Sequence, residues 1–224
     1  MSHPPLRQRL TGGELARHRH AEGYLALVLS GGYEEAGEAG RWRTSAGDVV
    51  VHHPFEAHLN RVPARGAVVL NLPLRLALPA GFGRVADPDL IARTAERDPI
   101  AAVRLLERAF TAAAPATSDW PDELARLLAA RPASLQAWAE ARGLSGEHLS
   151  RGFRKVFGVA PQRFGLEARA RAAAADAATS SATLAAIAFD RGFADQAHMT
   201  RAVAAVTGRT PGAWRASNPF KTGA

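Results

Sequence analysis

Residues 134–158 read SLQAWAEARGLSGEHLSRGFRKVFG, and residues 183–208 read TLAAIAFDRGFADQAHMTRAVAAVTG. The first stretch predicts an amphipathic helix from Ser134, a turn at Gly143, a cap at Ser145 and a second helix that stops at Gly158. The second stretch has Gly192 and Gly208 in the corresponding positions, and its second helix starts at Asp195, fifty residues after Ser145. Each is a helix, a short glycine-containing turn and a helix. One such hairpin is commonplace, but two in one basic region specify a repeated unit. The outward face of the last helix carries Asp195, Gln196, His198, Thr200 and Arg201. That is an unusual display for a helix whose only task is to cover a core.

Working outward, the two copies are joined by PQRFGLEARARAAAADAAT, begun by Pro161 and rich in the best helix former. About eighteen residues at ~1.5 Å each give a helix of roughly 27 Å. Upstream, AAAPATSDWPDE is rich in small and turn residues and predicts a linker, with a domain boundary near Pro115. Before it, DPIAAVRLLERAF spaces Ile100, Val103, Leu106 and Phe110 on one helical stripe, with Asp98 as cap and Pro99 at the first helical position. That helix either packs back on the preceding domain or mediates a homodimer.

From the start to about Pro79 the grammar is different. YLALVLS, RWRTSAGD, VVVHHPF, AHLNRV and GAVVLNLPL are short, β-branched and broken by turn residues, as in a small antiparallel barrel or sandwich. Glu34 to Gly40 reads as a hairpin loop, and Ala46-Gly47-Asp48 as a tight turn into a buried strand. Alternation along these strands puts Arg17, Arg19 and the Glu34-Glu35 pair largely on the solvent face. His18 and His20, two apart, share one face. His52 and His53 face opposite ways, with His52 open to an inward position.

Composition narrows the chemistry. The 224 residues include no cysteine, which removes disulfides, thiolate metal sites and cysteine nucleophiles. Any metal must be held by His, carboxylate or water. No run of about eighteen apolar residues is present, so a membrane role is not expected and the cytoplasm is the expected compartment. The formal charge is +7. From Thr117 onward there are fourteen Arg/Lys against nine Asp/Glu, compared with fourteen against twelve before it. The surplus therefore sits with the repeated hairpins, although twenty-six of the basic residues are arginine, which a GC-rich coding sequence explains as well.

The C-terminal pattern is similar to the AraC/XylS family of bacterial transcription regulators. The resemblance is carried by LSGEHLSRGFRKVFGVAPQRF, by Arg169 and Ala173, and then by Ile187-Ala188, Gly192-Phe193, Asp195-Gln196, Thr200-Arg201, Gly208, Thr210-Pro211 and Arg215, over about 85 residues. It implies a domain with two helix-turn-helix motifs joined by a long helix, whose ~27 Å approaches the ~34 Å between successive major grooves on one face of B-DNA. It also implies DNA contacts at Ser145, Gly146, Glu147, Ser150, Arg151, Arg154 and Lys155 in the first motif. In the second motif the implied contacts are Asp195, Gln196, Ala197, His198, Thr200 and Arg201. Chemistry favours Arg151 and Arg201 on guanine and Gln196 on adenine as base readers, whereas Asp195 suits a helix cap better than a base. Leu149, Phe153, Phe157, Phe193, Met199, Val203, Trp214 and Trp138 read as core. Where family members commonly carry a phenylalanine and a basic pair, this chain has Val203, Ala204 and Ala205. Fewer phosphate contacts are then expected from the second motif than from the first.

The N-terminal half resembles the cupin-type sensor domains of many such regulators, through HRHAEGYLALVLSGGYEEAG and TSAGDVVVHHPFEAHLN, about 60 residues. The resemblance implies an antiparallel β-barrel in which His18, His20 and His58 stand where catalytic cupins bind a metal. The usual glutamate after the His pair is absent, with only Glu22 near by. Three readings of the histidines stand side by side. His18, His20, His52 and His58 line an effector pocket; His18, His20 and His58 hold Zn2+ or another divalent ion; or they are ordinary packing residues.

The expected organisation is therefore a cupin-like effector domain over 1–85, a helical connector and dimerisation segment over 86–116, and a double helix-turn-helix DNA-binding domain over 117–217. The expected function is sequence-specific transcription regulation with no catalysis, with double-stranded DNA and a small-molecule effector as partners. Two rivals remain. One is a cupin metalloenzyme, an isomerase or dioxygenase, whose helices serve assembly; the other is an architectural DNA-binding protein whose barrel senses nothing.

Overall fold

The computed structural model describes residues 4–38, 40–75, 78, 81–114 and 119–217. The chain divides into two compact units between Asp122 and Glu123. The boundary anticipated near Pro115 lies outside the described residues.

The N-terminal unit is built on two antiparallel sheets. One has six strands in the order β1 (Arg7–Leu10), β8 (Ala67–Pro73), β3 (Tyr24–Gly31), β6 (Asp48–His52), β9 (Phe82–Arg84) and β10 (Thr111–Ala112). The other has β2 (Gly13–Arg19), β7 (Ala57–Val62), β4 (Glu34–Gly37) and β5 (Gly40–Arg43). The expected barrel is not closed. The strands β1 to β8 alternate between the sheets except for the β4-β5 hairpin, so each crossing ends a ladder instead of extending it. The crossing from β3 to β4 shows how tightly this is done. At Gly31, with φ +73°, a Cβ would stand 2.1 Å from the Gly66 carbonyl oxygen, and at Gly32 one would stand 2.1 Å from that of Thr44. Only glycine admits these approaches.

β3 is buried on both faces. Leu25 and Leu27, with Val49, Val51, Leu70 and Leu72, meet α1 (Pro88–Ala95) and α2 (Pro99–Ala109) through Ile91, Ala95, Ala102, Val103 and Leu106. The helix starting at Pro99 thus packs back on the sheet, and Asp98 caps it by accepting from Ile100 N and Ala101 N. Val103 and Leu106 keep the expected stripe, but Ile100 is 52% exposed because it lies in the first turn, where the helix has not yet reached the sheet. On the opposite face of β3, Tyr24, Ala26 and Val28 join Trp42, Val50 and Phe82, or Tyr33, Val62 and Val69, between the sheets.

Glu34 to Gly40 reads in sequence as a hairpin loop, but 34–37 and 40–43 are the paired strands β4 and β5, with Glu35 opposite Trp42. Strand alternation then separates the two glutamates. Glu34 faces out toward Arg43 and Arg61, while Glu35 turns inward and is 4% exposed, so the expectation that both lie on the solvent face is wrong for Glu35. The Ala46-Gly47 turn is as expected, with Gly47 at φ +87° leading into the wholly buried β6.

The C-terminal unit is helical. After α3 (Trp120–Ala130) come α4 (Leu135–Glu140), α5 (Gly146–Phe157), α6 (Pro161–Thr179), α7 (Leu184–Asp190), α8 (Gln196–Thr207) and α9 (Pro211–Ala216). No helix of the described residues is long and apolar enough to cross a membrane.

Candidate functional sites

The two hairpins are α4-α5 and α7-α8, each turned by a left-handed glycine, Gly143 at φ +64° and Gly192 at φ +68°. Ser145 caps α5 by accepting from His148 N at 3.1 Å, and Asp195 caps α8 by accepting from His198 N at 2.6 Å. Gly158 and Gly208 close both helices in the left-handed region. The remaining residues of the sequence pattern hold this frame. Ile187, Ala188 and Phe193 are buried, Thr210 caps α9 ahead of Pro211, and Arg215 donates to the Ala182 carbonyl. Arg169 reaches the Leu128 carbonyl and passes over the Phe193 ring.

Most of the expected contact set is outward. Ser145, Gly146, Glu147, Ser150, Arg151, Arg154 and Lys155 are exposed on the first motif, and Asp195, Gln196, Ala197 and Arg201 on the second. His198 and Thr200 are half-buried. The His198 ring packs edge-on against Phe193, and the Thr200 hydroxyl donates to the Gln196 carbonyl at 2.8 Å. Arg151 makes an exposed pair with Glu147 at 2.9 Å, the sort of contact worth about 0.3–0.5 kcal/mol and easily exchanged for a stronger acceptor.

The joining helix is more than a spacer. α6 buries Phe164, Ala168, Ala170, Ala173, Ala174 and Ala177 and packs on α7, α8 and α9. Asp176 accepts from Arg191 Nε at 2.6 Å and Nη2 at 2.9 Å, a bidentate grip that ties the end of α7 to α6 and raises the guanidinium pKa. Trp214, expected in the core, is half-buried and donates from Nε1 to Thr207 Oγ1 at 2.9 Å.

In the N-terminal unit, pairing registers bring the second set together. His18 stands opposite His58 on β2-β7, Glu35 opposite Asn60 on β4-β7, and Tyr24 opposite His52 on β3-β6. These strands belong to facing sheets, so the side chains converge on a cavity of about 230 Å3 between them. The His18 ring centroid lies 5.1 Å from that of His20 and 4.4 Å from that of His58, and those of His52 and His58 are 4.3 Å apart. His53 points away and is half-exposed.

Sequence reasoning missed Glu35, Tyr24 and Asn60. Asn60 Nδ2 donates to Glu35 Oε2 at 3.0 Å, the same oxygen lies 3.5 Å from His52 Nε2, and Tyr24 stacks on His52 at 4.3 Å. Burial pushes Glu35 well above the ordinary carboxylate range, lowers His52 to about 3 and lowers His58 as well. The signal for Glu35 was the strand itself. Had 34–37 been read as β, alternation alone would have turned one glutamate inward.

Residues 138–217 match a family model described as a helix-turn-helix domain. A search of curated proteins gives no match. Among solved structures, an AraC-type transcriptional regulator from Chromobacterium violaceum is 26% identical over 45% of this chain and 92% of its own, with a TM-score of 0.40. The DNA-binding domain of AdpA, a global transcriptional factor solved in complex with a target DNA, is 21% identical over 47% and 97%, at 0.43. Fatty acid-bound ToxT from Vibrio cholerae aligns over 97% and 96% at 9% identity and 0.44. Residues 138–217, with their paired hairpins, side-chain caps and glycine stops, are a helix-turn-helix domain.

Proposed function

We propose that this protein is a sequence-specific transcription regulator whose α5 and α8 read double-stranded DNA and whose N-terminal cavity takes a small-molecule effector. The observation that carries the reading is the pair of capped helices exposing guanidinium, ammonium and amide groups on frames of one design. Arg151 and Arg201 suit bidentate contact with guanine and Gln196 suits adenine. Thr200 has committed its proton to the helix, which leaves its methyl for thymine. Asp195 is occupied as a cap, so its role is to hold α8 and present its neighbours. Arg154 and Lys155, a turn further along, suit phosphates, which position the protein without reading sequence.

The cupin-like reading of residues 1–85 draws support from the two facing sheets and from the convergence of His18, His20, His52 and His58 on one cavity. The cavity walls offer donors and acceptors from Tyr24, Glu35, Asn60 and four imidazoles, a lining that suits a small polar molecule. The match of residues 138–217 to a helix-turn-helix domain supports a DNA-binding role for these helices over one in assembly alone.

The test is selection of fragments from a random DNA pool by the full chain, followed by affinity measurements against salt. A regulator retains a defined sequence and binds it far more tightly than random DNA, with the affinity for both falling as salt rises. Retention of random fragments without preference selects the architectural protein instead. Candidate effectors are then titrated into the selected complex. His20→Ala and His58→Ala are expected to remove the response and spare basal binding.

A further inference from the structure

We propose that the N-terminal unit binds one divalent transition-metal ion through Glu35, His52 and His58. The ligand atoms of these three side chains all lie within 4.8 Å of one another, and all three residues are buried. Metal–ligand bonds of about 2.0–2.1 Å put neighbouring ligands of a tetrahedral ion roughly 3.4 Å apart. Glu35 Oε2 and His52 Nε2 already stand at 3.5 Å.

The site also has the supporting contacts such a centre needs. Asn60 fixes the Glu35 carboxylate by donating to Oε2, and the Tyr24 ring stacks on His52 and sets its plane. A second observation concerns the hydrogen bonding of His58 and does not rest on ligand distances. His58 is 2% exposed, yet its Nδ1 has no hydrogen-bond partner among the described residues, a cost that a native fold rarely bears without return. Coordination by that nitrogen removes the cost.

The trio anticipated from sequence, His18, His20 and His58, also meets the distance criterion and shares His58 with the inner one. One ion cannot satisfy both. The inner trio has the stronger claim because it alone supplies a carboxylate to balance a dication in a buried place, and because His18 and His20 are only half-buried. Two imidazoles and a carboxylate, with no thiolate in the chain, suit Zn2+, Co2+ or Ni2+ better than Cu+, Mg2+ or Ca2+. Three protein ligands leave a coordination position open toward the cavity and toward His18 and His20. On the regulatory reading above, an effector with a coordinating oxygen or nitrogen enters there.

The experiment uses the full chain freed of metal with a chelator. Uptake of Zn2+ is followed by equilibrium dialysis with elemental analysis, and Co2+ is used as a spectroscopic probe. We expect one Zn2+ per chain, and an intense visible Co2+ spectrum of low coordination number. Glu35→Gln and His52→Gln should each weaken Zn2+ binding at least tenfold, while His20→Gln leaves it unchanged. Circular dichroism and unchanged DNA affinity would show that each variant is folded. Absence of stoichiometric Zn2+ uptake by the wild-type chain overturns the proposal. So does a loss in His20→Gln equal to that in Glu35→Gln, which would move the ion to the outer trio. Zn2+ uptake is read without DNA, so a chain that takes up Zn2+ but selects no DNA sequence overturns the regulatory reading and leaves the metal site standing.

Discussion

Helices α5 and α8 are each twelve residues long, start on a side-chain cap and stop on a left-handed glycine, yet they are held and furnished differently. Behind α5 stand three phenylalanines. Phe153 lies 4.7 Å from Phe157 and 5.4 Å from Phe164 of α6 between ring centroids, and Phe157 lies 5.1 Å from Phe164. Behind α8 stand Met199, Ala202, Val203 and Val206 against the alanines of α6. The outer faces differ as well: Arg151, Arg154 and Lys155 on one, Gln196 and Arg201 on the other. Caps and glycines fix a frame, and a frame can be duplicated while the core behind it and the groups in front of it diverge. On this view the first copy anchors the protein to DNA and the second mainly reads.

The largest expected effect tests the cores. Phe153→Ala empties a fully buried ring site and should cost about 3–5 kcal/mol, whereas Val203→Ala removes two methyl groups and should cost about 2 kcal/mol. Hydrogen exchange of amides over 134–217 in increasing urea measures both in this unit alone. Equal losses would mean that the aromatic cluster contributes nothing special to the first copy.

Next come the reading groups. Arg151→Ala and Arg201→Ala should each cost about 1–3 kcal/mol at the selected site and relax preference at one base. Arg154→Ala should instead weaken all sequences alike and reduce the slope of log affinity against log salt by about 0.9. A sequence-selective loss in Arg154→Ala would reverse the assignment of anchor and reader within α5.

The paired hairpins were legible in the sequence because their determinants are local. Ser145, Asp195, Gly143, Gly158, Gly192 and Gly208 act within one or two turns of where they stand. Long-range pairing was the hard part. Glu35 became a cavity residue only because β4 pairs with both β5 and β7, and no local signal separates a strand of EEAG from a loop. His18, His20 and His58 were found together through spacing and resemblance. Their company with Tyr24 and Asn60 depends on register between strands far apart in the chain. The sequence reading of α6 stopped at its length and its place between the two copies. A run of alanines reads as a rigid spacer, but small side chains are also what let α8 and α9 approach closely. A flexible insertion near Ala174 would therefore disturb the core along with the phase of the two motifs.

A smaller effect distinguishes capping from reading at Asp195. Asp195→Ala should cost about 1 kcal/mol of stability through the lost bond to His198 N, and Asp195→Asn should restore it, since Asn caps as well as Asp. The Asn variant replaces an acceptor-only group with one that also donates, so a base contact would change sequence preference. An unaltered selected sequence in Asp195→Asn is the expected result.

The smallest effect concerns the arginines that precede the two turn glycines. Arg142 makes a single bond to exposed Glu123 at 3.0 Å and lies 3.8 Å above the Trp138 ring, whereas Arg191 grips Asp176 with two nitrogens. Both pairs are about a third exposed or more, so solvent limits each to about 0.2–1 kcal/mol, with Arg191 at the upper end because its geometry is bidentate. Arg191→Lys should recover little of the loss in Arg191→Ala, since an ammonium cannot reproduce the planar fork, while Arg142→Lys should behave nearly as the parent. Thermal unfolding at low and high salt measures all three variants. If lysine serves equally at both positions, the end of α7 is fixed by packing alone, and the second copy is joined to α6 no differently from the way the first is joined to its neighbours.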